Sequence, residues 1–288
     1  MSVFFGVVIA IGWLFSRLYG NSSILYIAVF FSIFMNVLSY WFSDKIVLML
    51  HRARPLDAKS HPELYQIVAR LVSLAGLPMP KLYIIDDPAP NAFATGRNSK
   101  HAVVAVTSGI LERLSPAELE GVLSHELSHI GNRDMLVSTV AVVLVGFVSI
   151  LSDIFMRSML FGGWAGRDDD RDRGAGGFIL VIGIIFSILA SLIASLIHLA
   201  ISRRRELLAD SSGALLTRAP QNLASALGKI ASYSRPLSSA KNATAHLFFG
   251  NPFGADRSGL HKTSWIIKMF STHPPIEERI AALEQIKV

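Results

Sequence analysis

His125-Glu126-Leu127-Ser128-His129 decides how the rest of this 288-residue chain is read. Residues four apart on an α-helix share one face, so the imidazoles of His125 and His129 can grip a single metal ion. Glu126 sits at the edge of that face. It can reach a water on the ion and take its proton without ligating the ion itself. With nine His in the chain, and Glu as common, the pattern arises by chance in roughly 1% of such sequences. Its setting is also right. Ser115-Pro116-Ala117-Glu118 reads as a capping box with Pro at the first helical position, opening a helix that carries the motif through Ile130. Whether that helix runs straight on into the apolar stretch beyond is open at this level.

A catalytic ion of this kind takes three protein ligands and a water. The third should come from another helix, and Glu206 in Arg205-Glu206-Leu207-Leu208-Ala209-Asp210 is the preferred candidate. Asp210 lies four residues on, where it can accept a hydrogen bond from a ligating imidazole. The competing reading pairs both carboxylates with Arg203 to Arg205 on a solvated face. His198 is a rival ligand, but it falls inside an apolar run, where a lone His is more often a helix-contact residue.

Composition narrows the setting. The chain has no Cys, which excludes disulfides, thiolate-bound zinc, iron–sulfur clusters and thiol catalysis. Only 17% of residues are charged against about 25% in an average soluble domain, and 51% are hydrophobic. Four stretches lack Lys, Arg, Asp and Glu: 1–16, 18–43, 135–152 and 174–202. A membrane helix needs about 20 apolar residues, which the second and fourth supply, the third supplies if extended to Met156, and the first only approaches. No basic residue precedes the first run and no small-x-small site follows it, so it reads as a span and not a cleaved leader. Seven basic residues (Lys45, Arg52, Arg54, Arg133, Arg203, Arg204, Arg205) flank the spans on the side of the long polar segments. Five (Arg17, Arg157, Arg167, Arg171, Arg173) lie opposite. That bias places the polar segments in the cytoplasm. The net charge of +6 is explained by these flanks, and no nucleic-acid partner is expected.

The resulting organisation is a transmembrane hairpin over 1–42, a catalytic segment over 43–134, a second hairpin over 135–201 and a second catalytic segment over 202–288. Within 57–134, Ser60-His61-Pro62-Glu63 reads as a capping box opening a helix to about Leu74, with Gly76 as its stop. Lys81 to Asp86 and Ala102 to Thr107 read as short strands, and the Pro/Asn/Gly-rich 87–100 between them as loops with room for a hairpin. The helix of the fourth run is expected to continue through Arg205 to about Leu216, with further helices over 220–233 and over 274–286, Thr272 capping the last. Asp168, Asp170 and Asp172 alternate in the 157–177 loop, but the Gly and distal Glu of a calcium loop are missing.

The motifs HELSH at 125–129, RRRELLAD at 203–210, NAFATG at 91–96 and THPPIEERI at 272–280 resemble the HtpX family of membrane zinc metalloproteases, relatives of the CaaX-prenyl proteases. The resemblance implies an α-helical integral membrane protein with a zincin-like α+β cytoplasmic catalytic domain, mostly helical with a small β-sheet. It implies one zinc per chain held by His125, His129 and Glu206, with Glu126 as general base and Asp210 as anchor. Asn91, Ala92, Phe93 and Ala94 would line a cleft whose edge strand pairs with an extended substrate. His273 and Arg279 would stabilise the oxyanion. The implied substrates are membrane proteins or unfolded polypeptides at the lipid bilayer, in quality control at the cytoplasmic membrane. Two other readings stand beside this one: a membrane metal-binding or scaffold protein without hydrolysis, and a CaaX-type processing protease.

Overall fold

A computed structural model describes residues 2–136, 138–140, 203–241, 244–254 and 274–287. The chain forms two units, 1–41 with 140–197 and 42–139 with 198–288. The hairpin expected over 135–201 and the 157–177 loop lie outside the described residues, apart from 135–136 and 138–140.

In the first unit, helix α1 (Ser2–Tyr19) turns into α2 (Ser23–Leu50) through Gly20, whose φ of 61° suits a residue without a Cβ. Asn21 Oδ1 accepts from the Ser23 N–H at 2.9 Å and so caps the start of α2. A Cβ at Gly12 would overlap Ala28, so the glycine sets how closely the two helices pass. α2 buries Ser32, Ser39 and Ser43 and exposes Tyr26, Phe30, Phe34, Val37 and Trp41. Met35, Val47 and Leu48 are buried with the serines, and it is the large apolar residues on the exposed face that depart from the pattern of a helix in water. Among the described residues, α2 is the one helix long and apolar enough to cross a membrane.

The second unit is built on a four-stranded sheet: β1 (Arg54–Pro55), β2 (Lys81–Ile85), β3 (Ala92–Thr95) and β4 (Val103–Thr107), in the order β1-β2-β4-β3. β2 and β4 are parallel; the two outer strands pair antiparallel to them. β4 is buried at every position, as a Val- and Ala-rich inner strand should be. β3 falls inside the segment read as loops with room for a hairpin. Four residues show too little alternation to register as a strand, and pairing with β4 supplies what local pattern lacks.

Helix α3 (Pro62–Ala75) ends at Gly76 in the left-handed conformation, as read. Its start differs from the expected capping box. His61 is the cap residue and makes no side-chain cap bond, while the Ser60 hydroxyl donates to the Asp57 carbonyl at 2.9 Å. Pro62 takes the first helical position, which moves the cap one residue past Ser60. Short α4 (Ser108–Arg113) is capped by Thr107.

Helix α5 (Pro116–Gly131) starts with the complete Ser115–Glu118 capping box and is buried along most of its length. It does not continue straight on. Arg133 adopts φ 62°, and the Asp134 N–H bonds back to the His129 carbonyl at 3.0 Å. The remaining α-helices among the described residues are α6 (Arg203–Thr217), α7 (Pro220–Ser232) and α8 (Ile276–Glu284). Glycines let them crowd α5. A Cβ at Gly213 would lie 2.9 Å from the His125 backbone nitrogen, and one at Gly121 would lie 3.0 Å from Leu223 of α7. Leu123, Leu127 and Ile130 of α5 are almost wholly buried in the shared core, each worth about 1.5–3 kcal/mol of burial. These close approaches bring the start of α6 alongside the motif on α5.

Candidate active site

One face of α5 presents His125 and His129, and the first turn of α6 presents Glu206. Their donor atoms all lie within 4.8 Å of one another. The two Nε2 atoms are 3.1 Å apart; Glu206 is 3.5 Å from the Nε2 of His129 and 3.9 Å from that of His125. Donors about 2.0–2.1 Å from a tetrahedral ion stand roughly 3.3 Å from each other, so the spacings fit.

The hydrogen bonds explain why the ring nitrogens face each other. His125 Nδ1 donates to Asp210 Oδ1 at 2.8 Å, and His129 Nδ1 faces Asp134 Oδ2 at 3.3 Å. Each carboxylate holds the proton on Nδ1 and leaves the Nε2 lone pair free. Two lone pairs at 3.1 Å repel unless a cation stands between them. The electrostatics favour positive charge here. Burial pulls His129 down, but the Asp134 hydrogen bond and the nearby Glu206 and Glu126 carboxylates outweigh it and push the ring up to about 9. Burial holds His125 down at about 4, against the opposing pull of Asp210.

Glu126 is buried beside the triad. Burial pushes its carboxyl up to about 7, while His129 and the Ala94 N–H that donates to it act the other way. A carboxyl near neutrality suits a group that must take and return a proton. A cavity of about 30 Å³ opens at this point, more than the roughly 10–15 Å³ a single water needs. Ala94, Glu126, His246 and Phe249 are among its walls.

Arg279 lies at the centre of the anchoring network. Its Nε and Nη2 donate to both oxygens of Asp210 at 2.8 and 2.7 Å, and its guanidinium stacks over Phe249 at 4.9 Å. Burial opposes the charge on Asp210, but Arg279 overrides it and holds that carboxyl at about 2. Nη1 points toward Glu206 at 4.0 Å and donates to the Phe249 carbonyl at 3.3 Å. His273 lies outside the described residues, as do His198 and Thr272.

Of the four residues read as cleft lining, Ala94 borders the cavity. Asn91 is buried and clamps Gly250, accepting from its N–H and donating to its carbonyl, both at 2.9 Å. The Ala92 carbonyl accepts from the Phe249 N–H at 2.8 Å. Phe93 packs in the core, 5.1 Å from the Phe248 ring. Sequence reading did not single out Asp134, Phe249 or His246. Phe249 packs edge-on against His125 at 5.0 Å, and His246 Nε2 lies 3.2 Å from the Ser138 carbonyl.

The sequence profile of Peptidase family M48 matches residues 58–287, which include every group just described. This chain belongs to peptidase family M48. The M48 peptidase is 48% identical over 269 residues to a protease HtpX homolog of Syntrophobacter fumaroxidans, covering 93% of this chain and 91% of that one. It is 46% identical over 289 residues to a protease HtpX homolog of Pyrococcus furiosus, covering 99% and 93%. Its fold is similar to that of the crystal structure of S. mikatae Ste24p, with a TM-score of 0.53 at 19% identity. The match covers 97% of this chain and spans 62% of that one. The M48 peptidase is therefore a metalloendopeptidase, mostly helical with a small sheet.

Proposed function

We propose that this M48 peptidase is a multi-pass membrane zinc endopeptidase, with its centre on the cytoplasmic side, that cuts misfolded or damaged membrane proteins. The convergence of His125, His129 and Glu206 from two helices, with Glu126 buried against them, carries the reading. Zinc held there supplies a Lewis acid that polarises the scissile carbonyl and acidifies the attacking water. Every other task falls to side chains. Asp210 and Asp134 keep both imidazoles in the tautomer that presents Nε2. Glu126, oriented by the Ala94 N–H, takes the proton from the water and returns it to the leaving amine. β3 lies at one end of the sheet and carries Ala94, whose N–H goes to Glu126, so an extended substrate backbone passing this edge would lie within reach of Glu126. Arg279 spends its bidentate fork on Asp210, which supports a positioning role through His125 over the direct oxyanion contact implied by the resemblance. The outward-facing aromatic residues of α2 support its placement across the membrane.

Cleavage of casein, or autocleavage, by zinc-loaded protein tests the assignment. Glu126→Gln keeps the shape of the site and removes the base. Its rate should fall about 10²–10⁴-fold with bound zinc unchanged. Equal cleavage by both proteins contradicts the role given to Glu126.

A further inference from the structure

β3 is an end strand that pairs antiparallel with β4. In such a pair, residues alternate between bonding to the partner strand and turning their backbone groups away from it. The Thr107 N–H donates to the Asn91 carbonyl at 3.0 Å, so Asn91 faces β4, while Ala92 and Ala94 face the outer edge. Both edge groups of Ala92 are already taken. Its N–H donates to Asn91 Oδ1 at 3.1 Å, and its carbonyl accepts from the Phe249 N–H at 2.8 Å. Gly250, the next residue of that segment, is held through both its backbone groups by the Asn91 side chain. This chain's own backbone therefore lies where a substrate strand would pair with Ala92.

The segment is built into the core. Phe248 and Phe249 are almost wholly buried. The Phe248 ring meets Phe93 edge-on at 5.1 Å, Phe249 packs against His125, and the Phe249 carbonyl accepts from Arg279. A Cβ at Gly250 would lie 2.6 Å from Ile230 Cγ2, so α7 closes in from behind. Displacing the segment would expose two aromatic rings and break these bonds, and pairing a substrate with Ala92 returns little of that.

Ala94 lies two residues further on, beside the cavity, with its N–H on Glu126. Pairing along the edge can thus come from the Thr95 end as far as Ala94, and it stops at the base. Antiparallel pairing is the more stable arrangement. It lays the N-terminal part of a substrate along Thr95 and Ala94 and sends the C-terminal part toward the occupied end.

We infer that Asn91, Phe248, Phe249 and Gly250 form a fixed stop that confines strand pairing to the N-terminal side of the scissile bond, so that residues C-terminal to the cut need no extended backbone. The inference rests on reading the site as an endopeptidase with its substrate along β3. A peptide spanning the main casein cut site, N-methylated at one backbone nitrogen at a time, tests it with zinc-loaded full-length protein. The scissile nitrogen is left unmodified. On the N-terminal side, kcat/KM should fall about tenfold at alternate positions, where an N–H bonds to the edge. At the second and third residues C-terminal to the cut it should change by less than about twofold. Amide-to-ester replacement at the same positions removes the N–H without adding bulk and should reproduce the pattern. Equal losses on the two sides, losses confined to the C-terminal side, or an ester series without effect would overturn the stop and leave the endopeptidase reading standing. Failure of the zinc-loaded wild type to cut casein or the unmodified peptide would sink the endopeptidase reading, and the stop with it.

Discussion

His125 and His129 have the same chemistry but different supports. His125 leans on Asp210, which Arg279 locks from behind at 2.7 and 2.8 Å. His129 leans on Asp134, whose other oxygen lies 3.4 Å from Arg205, the neighbour of Glu206. Asp134 thus touches His129 and the residue beside Glu206. Asp134→Asn should weaken zinc binding about 10–100-fold, measured by chelator competition, with folding little changed. Unaltered affinity would show that the 3.3 Å contact does nothing for the ligand. The His125–His129 pair was legible because four-residue spacing on one helix is a local signal. Asp134 was not. Five residues beyond His129 on a straight helix it would face another side, and only the left-handed turn at Arg133 brings it back. Arg279 was visible as part of a motif, but its bond to Asp210 spans 69 residues that no local pattern connects.

Helix α5 owes its placement to Glu118 as much as to its apolar face. That carboxylate closes the capping box and accepts from Ser225 and Lys229 of α7, both at 2.7 Å. Burial alone would raise its pKa, but the hydrogen bonds from Lys229, Ser115 and Ser225 win and hold it at about 2, against an ordinary 4.5. A group depressed on folding stabilises the fold in full above its unfolded value and loses that contribution as pH falls from 4.5 toward 2. Glu118→Gln should therefore melt lower than wild type at pH 7, and the gap should close on acidification through that window. A gap that widens as pH falls would contradict the ion pair. The capping box was readable in Ser115-Pro116-Ala117-Glu118, whereas its second use, as a tie to α7, was not. The same local logic failed at Ser60, where Pro62 moved the cap to His61. It also failed at β3, where a partner strand outweighs a loop-like composition.

Across the whole molecule, His129 and Glu206 stand far apart in sequence, on α5 and α6, which pack together at the bare backbone of Gly213. An ion held by both helices stabilises only the folded chain, so metal affinity and fold stability are linked. The helical content, and α2 as a helix long and apolar enough to cross a membrane, were legible from apolar runs and capping signals, because both are written in contiguous stretches. The meeting of two distant segments was legible only through the chemistry that a third ligand demands. The most direct test is the zinc content of purified full-length protein, wild type against Glu206→Gln, by elemental analysis after dialysis. The account predicts one zinc per wild-type chain and a loss of most of it in the variant, with circular dichroism unchanged. A full equivalent of tightly held zinc in Glu206→Gln would mean that the carboxylate on α6 is no ligand.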